Sequence, residues 1–194
     1  RNHVRTTLQP LQESYQIGME TGLIEFACVN TNIYCIHAFL CGRPLSQTEE
    51  ETADYSRNYK LLNQLTNFNY NEVYRQAMHN LMGRSSDPLV LTGEAFQEEQ
   101  MLEQNEERND KTGTFFIYFL KCMLAYYFEE PATARDNAEK AEKLLDAVLA
   151  KFEIPNLAFY HALSLIAQVK TNGTRKSNLI TRAKKYHRDR KSVV

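Results

Sequence analysis

Residues 109–152 read NDKTGTFFIYFLKCMLAYYFEEPATARDNAEKAEKLLDAVLAKF, and this stretch decides the fold. From Phe115 to Phe128 every position is apolar except Lys121. In the second half, Ala134, Ala138, Ala141, Leu145, Val148 and Phe152 recur at alternating steps of four and three, the spacing of one helical face. Glu129, Glu130 and Pro131 lie between the halves, and proline suits the first position of a helix. The pattern predicts a helical hairpin, with an aromatic helix packed against one whose near end is alanine-rich. Small side chains there let the two backbones approach closely.

The same periodicity extends outward. Glycine and proline are scarce, at seven and five in 194 residues, and no alternating Val/Ile/Thr-rich segment appears. The expected fold is therefore all-α, with antiparallel helix pairs stacked as a degenerate tetratricopeptide-like array. Predicted helices cover residues 11–21, then Leu23 to Cys41 closed by Gly42. A capping box from Ser46 to Glu49 should open the next, which carries Tyr55, Tyr59, Leu62 and Leu65 on one face. Asn67, Asn69 and Asn71 read as a break before a helix holding Val73, Tyr74, Ala77, Met78 and Leu81. Thr92 or Gly93 should cap an acidic helix from Glu94 to about Glu107, and Pro155 should open a last one that closes near Gly173. The domain expectation is a helical-repeat domain over residues 1–170 and a basic helix or linker over 171–194. The chain begins with Arg1 rather than methionine, so it is expected to be an excerpt of a longer protein.

Charge is unevenly placed. Residues 170–194 hold nine Lys and Arg against one acid, Asp189, whereas the other 169 residues hold 14 basic and 23 acidic residues. The basic segment could bind an anionic surface, dock on the acidic body, or remain solvated. Tyr186 is its single aromatic, so base stacking has little to work with and no nucleic-acid partner is expected. No stretch reads as a signal peptide, and the longest apolar run is too short to span a bilayer, so a soluble, cytoplasmic chain with no membrane partner is expected. Four scattered cysteines without a CxxC pair fit reduced thiols.

Motifs for chemistry are sparse. Neither GxxxxGK[ST] nor GxGxxG occurs, and kinase signatures are missing. Cys28 and Cys35, with His37 and Cys41 nearby, lie about 10 Å apart along a helix axis, too far for one zinc without other ligands. Glu98-Glu99 and Glu106-Glu107 are adjacent pairs whose side chains diverge by about 100°, so they read as a solvated acidic face. Ser14 and Ser164 lack a GxSxG setting. Tyr34, Tyr74, His79, Tyr118 and His161 stand as core or groove residues. The sequence thus nominates no catalytic, cofactor-binding or metal-ligating residue and no cofactor.

Particular residues carry a family resemblance. Glu20-Thr21-Gly22-Leu23-Ile24-Glu25-Phe26-Ala27, then Tyr34-Cys35 and Gly42, resemble a segment of large bacterial multi-sensor signal-transduction kinases. Asn80-Leu81-Met82-Gly83, Pro88, Leu91-Thr92-Gly93-Glu94-Ala95-Phe96 with Glu98-Glu99, and Phe159-Tyr160 with Ser164-Leu165 extend it over about residues 11–168. In those proteins a serine/threonine-kinase-like domain precedes an AAA/STAND-type ATPase. A helical tetratricopeptide-like region follows, then a GAF domain and usually a histidine kinase of the two-component type. The resemblance places this chain in the helical region and implies a non-catalytic regulatory segment. Its partners would be neighbouring domains of the same chain, or a protein or peptide. The alternatives are a free-standing tetratricopeptide-like scaffold, and an all-α hydrolase or lyase using acidic residues with His79 or His161 in a closed pocket.

Overall fold

The computed structural model describes residues 3–172, with side chains through Val169. The basic segment from Gly173 onward lies outside the described residues, and with it the expectation of a terminal helix or linker. Among the described residues the regular elements are helical: α1 (Leu8–Glu20), α2 (Ile24–Leu40), α3 (Leu45–Leu61), α4 (Leu65–Leu81), α5 (Glu98–Glu107), α6 (Lys111–Tyr127), α7 (Pro131–Glu142) and α8 (Glu153–Asn172). The expected all-α, paired-helix architecture is what folds. Among the described residues two compact units form, one from residues 3–85 with 93–96, the other from 86–92 with 97–172.

In the first unit α1 pairs with α2 and α3 with α4, and α2 also packs on α3 and α4. Gly18 brings α1 close to α2, since a Cβ at that position would lie 2.9 Å from the Ala27 Cβ. The helices end by one recurring device. Gly22, Gly42, Asn63 and Gly83 follow the helix ends with φ of 78°, 76°, 56° and 72°. Beyond α2, α3 and α4 the next two amides turn back to the final carbonyls, as in Gly42 N to Phe39 O (3.1 Å) and Arg43 N to Ala38 O (3.2 Å). These left-handed residues are spaced 20, 21 and 20 residues apart. One helix pair therefore repeats every 41 residues, longer than the roughly 34 of a tetratricopeptide unit. The extra length lies in the helices, since α2, α3 and α4 each run 17 residues.

Two sequence expectations fail in this unit for one reason: polar side chains bond between helices. No break occurs at the asparagines, and α4 runs through them. Asn71 Nδ2 donates to Thr52 O (2.8 Å) and Ser56 Oγ (3.0 Å) of α3, while Asn32 Nδ2 of α2 donates to Asn67 O (3.4 Å). Nor does Ser46 cap α3, which follows Pro44 without a side-chain cap. Glu49 turns instead towards α4.

In the second unit α6 packs against α7, α8 lies against both, and α5 lies against α6. Phe115, Phe116, Ile117, Phe119, Leu120 and Leu124 are fully buried along α6. Ala134, Ala138 and Ala141 of α7 are fully buried as well, as the small-residue face requires. That face stops earlier than the periodicity suggests. α7 ends at Glu142 and a 3-10 turn spans Leu145–Ala147, so Leu145, Val148 and Phe152 do not share its helix. The acidic helix also starts late, at Glu98 rather than Glu94. Thr92 does serve that start from six residues away, its Oγ1 accepting from Glu98 N (3.2 Å).

Candidate functional site

Among the described residues, most buried charge is already committed to holding helices together. In the first unit, Arg75 donates to Glu49 Oε1 (2.9 Å) and to both oxygens of Glu72 (3.1 and 2.9 Å). His79 Nε2 lies 3.0 Å from Glu49 Oε1, and Ser56 Oγ donates to Glu72 Oε1 (2.6 Å). Burial pushes the Glu49 carboxyl upward, but Arg75 and His79 outweigh it and hold the group below its ordinary value. A second cluster joins α2 to α3: Arg43 grips Glu51 through two 2.8 Å bonds, and Tyr34 O–H donates to Glu51 Oε2 (2.8 Å). Burial, then Glu51, pushes the Tyr34 phenol up to about 12.

The second unit shows the same habit. His161, fully buried, places Nδ1 2.8 Å from Glu142 Oε1. Lys121, the lone charge between Phe115 and Phe128, pairs with Glu98, which also accepts from Leu91 N (2.8 Å). Glu98 is therefore no part of a solvated face. The thiols sit quietly: burial raises Cys28, and it carries Cys35 and Cys122 up to about 12. Thiols so shifted are poor nucleophiles at neutral pH.

Within the second unit, α5, the start of α6 and Leu144 enclose a cleft of about 430 Å³. Glu99, Glu103 and Glu106 line it from successive turns of α5, with Asp110 at its end. Its lining cation, Lys111, sits 3.3 Å from Asp146. Among the described residues Glu99, Glu103 and Glu106 have no basic partner. Leu102, Tyr118 and Leu144 supply apolar wall. Asn105 borders the cleft as well; it is 5% exposed, and its Nδ2 has no hydrogen-bond acceptor among the described residues.

The local sequence builds this shape. Asn109 takes φ 52° to end α5, and Asp110 then caps α6, its Oδ1 accepting from Gly113 N (2.9 Å). At Gly113 a Cβ would lie 2.8 Å from both Asn105 Nδ2 and Asp110 Oδ2, so those side chains would have to shift to admit one. Its absence lets α6 approach the Asn105 carboxamide.

Of the residues singled out as core or groove, only Tyr118 borders the cleft. Tyr34, Tyr74, His79 and His161 are buried in packing. Glu99 and Glu106 reach the cleft, whereas Glu98 does not, so the two acidic pairs split between roles. Asn105 gave no signal in sequence; its i+3 relation to Leu102 was the one available hint. Compared with known proteins, the chain matches no family, no curated protein and no solved structure. Among the described residues, no helix is long and apolar enough to cross a membrane.

Proposed function

We propose that this chain is a non-catalytic helical-repeat interaction segment of a multidomain ATPase/kinase signalling protein. It couples the binding of an effector or a neighbouring domain to the adjoining ATPase and kinase. The observation that supports an interaction role is the contrast, among the described residues, between charge that is paired and charge that is not. His79 and His161 are taken up in packed pairs with Glu49 and Glu142, while Glu99, Glu103 and Glu106 face an open cleft. A cleft walled by carboxylates and apolar side chains is equipped to hold a partner. The tie to a kinase rests on the resemblance carried by residues such as Glu20–Ala27 and Leu91–Phe96.

Coupling needs a partner that binds one packing of the helices better than another. The test is ATP turnover and autophosphorylation of the whole protein with and without E103Q/E106Q. A changed dependence on the partner supports the reading. Unchanged output in that variant, and also after deletion of the helical region, refutes it.

A further inference from the structure

From Ile154 to Val169, α8 carries no Asp, Glu, Lys or Arg. One side of it, with Leu157, Tyr160, His161, Ser164 and Leu165, is buried in the second unit. The other side presents Ala158, Phe159, Ala162, Leu163, Ile166 and Val169, an arc of about 140° at 100° per residue. Phe159 and Ile166, two turns apart on that arc, are 40% and 45% exposed. The neighbouring α7 instead turns Asp136 and Lys140 outward. A helix whose outer side is as apolar as its inner one belongs between other elements.

The sequence supplies an occupant. α6, α7 and α8 each pack on the helix before them in the chain, and residues 174–194 follow α8. At 1.5 Å per residue a helix over that stretch would reach about 32 Å, against about 30 Å for the 20 residues of α8. Within it Leu179, Ala183 and Tyr186 recur at i, i+4 and i+7, the spacing of one helical face, while Lys184, Lys185 and Arg188 fall off that face. Charge points the same way. Gln168 Nε2 donates to Pro131 O (3.1 Å), which sets the last turns of α8 beside the exposed Glu129 and Glu130. Residues 174–194, with eight Lys and Arg against Asp189, continue the chain from that acidic turn. A tethered segment meets α8 at an effective concentration of about millimolar, which a free partner must outcompete.

We propose that the outward face of α8 is the docking site of the chain's own basic segment. Leu179, Ala183 and Tyr186 cover Phe159, Ala162 and Ile166, while Arg175 and Lys176 meet Glu129 and Glu130. The remaining cations stay in water, and the face is closed to a second copy of the chain. This assignment stands without the signalling reading above.

The test introduces the photo-crosslinking residue p-benzoylphenylalanine into the full chain, at Ile166 in one protein and at Phe159 in another, where an aromatic replaces an aromatic. Irradiation is followed by peptide mass spectrometry, and mixing isotope-labelled with unlabelled chain separates contacts within one chain from contacts between copies. Both sites are expected to crosslink within one chain to residues 175–188. Tethering alone brings the segment near, so docking is read from L179D/Y186D, which should lower the yield about fivefold or more. E129Q/E130Q should lower it about twofold at low salt and leave it unchanged at high salt. Crosslinks that join α8 of two copies overturn the proposal in favour of a dimer. Crosslinks that miss the segment, or a yield unchanged in L179D/Y186D, overturn it outright, and an E129Q/E130Q yield equal to wild type at low salt overturns the contact at the acidic turn.

Discussion

Gly18 offers the sharpest test of how the first helix pair is held together. In an isolated helix, Gly→Ala gains up to about 1 kcal/mol of propensity. Here the new methyl would stand 2.9 Å from the Ala27 Cβ and 3.3 Å from the Ala27 Cα and N, and a rigid backbone cannot yield as a long side chain would. Overpacking of this kind costs about 1–3 kcal/mol. Gly18→Ala should therefore destabilise by a net of about 1 kcal/mol. Ala27→Gly, at a fully buried helical position, loses propensity and a packed methyl, about 2 kcal/mol together. The double variant moves the methyl from one helix to the other and should lie within about 1 kcal/mol of wild type. Additivity would put it near 3 kcal/mol. Urea unfolding of the four proteins measures the coupling. An additive double variant, or a Gly18→Ala protein more stable than wild type, would refute the close α1–α2 approach.

Other expectations follow from the same kind of reading. Ala138→Leu or Ala141→Leu should destabilise the second unit by about 1–3 kcal/mol, because both sites are fully buried on α7, which packs between α6 and α8; an unchanged melting temperature in both would refute the close packing of that face. Glu129 holds φ 61° beyond α6, so Glu129→Gly should stabilise by about 0.5–1 kcal/mol, seen as a raised melting temperature. Glu49 and Glu51 are both held below the ordinary carboxyl value of 4.5, so the folded state binds fewer protons than the unfolded chain. Their contribution is present above that pH and lost as the pH falls through their folded values. Melting temperature should drop on acidification, and E49Q should flatten the slope while costing about 2–3 kcal/mol at neutral pH, since Arg75 keeps Glu72.

What the sequence made legible depended on whether the deciding interaction was local. Apolar spacing along Phe115–Phe128, the Ala134–Ala141 face and Pro131 at a helix start depend on one helix at a time, and each reads correctly. The helix stop at Gly42 is equally local. Asn67, Asn69 and Asn71 looked like a break because asparagine competes with helical hydrogen bonds. Thr52, Ser56 and Asn32 offer partners that no local window reveals. Glu49 at three residues from Ser46 resembled a capping partner, yet Arg75 and His79 claim it from α4. The acidic cleft was hidden for a similar reason. Glu99, Glu103 and Glu106 look like any solvated helix face until Gly113 lets α6 draw alongside Asn105.

The cleft's role is open to one direct measurement, amide hydrogen exchange of the whole chain with and without acetyl-Ala-Arg-Ala-Arg-Ala-amide, a short cationic peptide that probes its carboxylates. Slowed exchange confined to Glu98–Glu107 and the first turns of α6, and absent in E103Q/E106Q, is the expected result. Protection on other helices with α5 unchanged would contradict it.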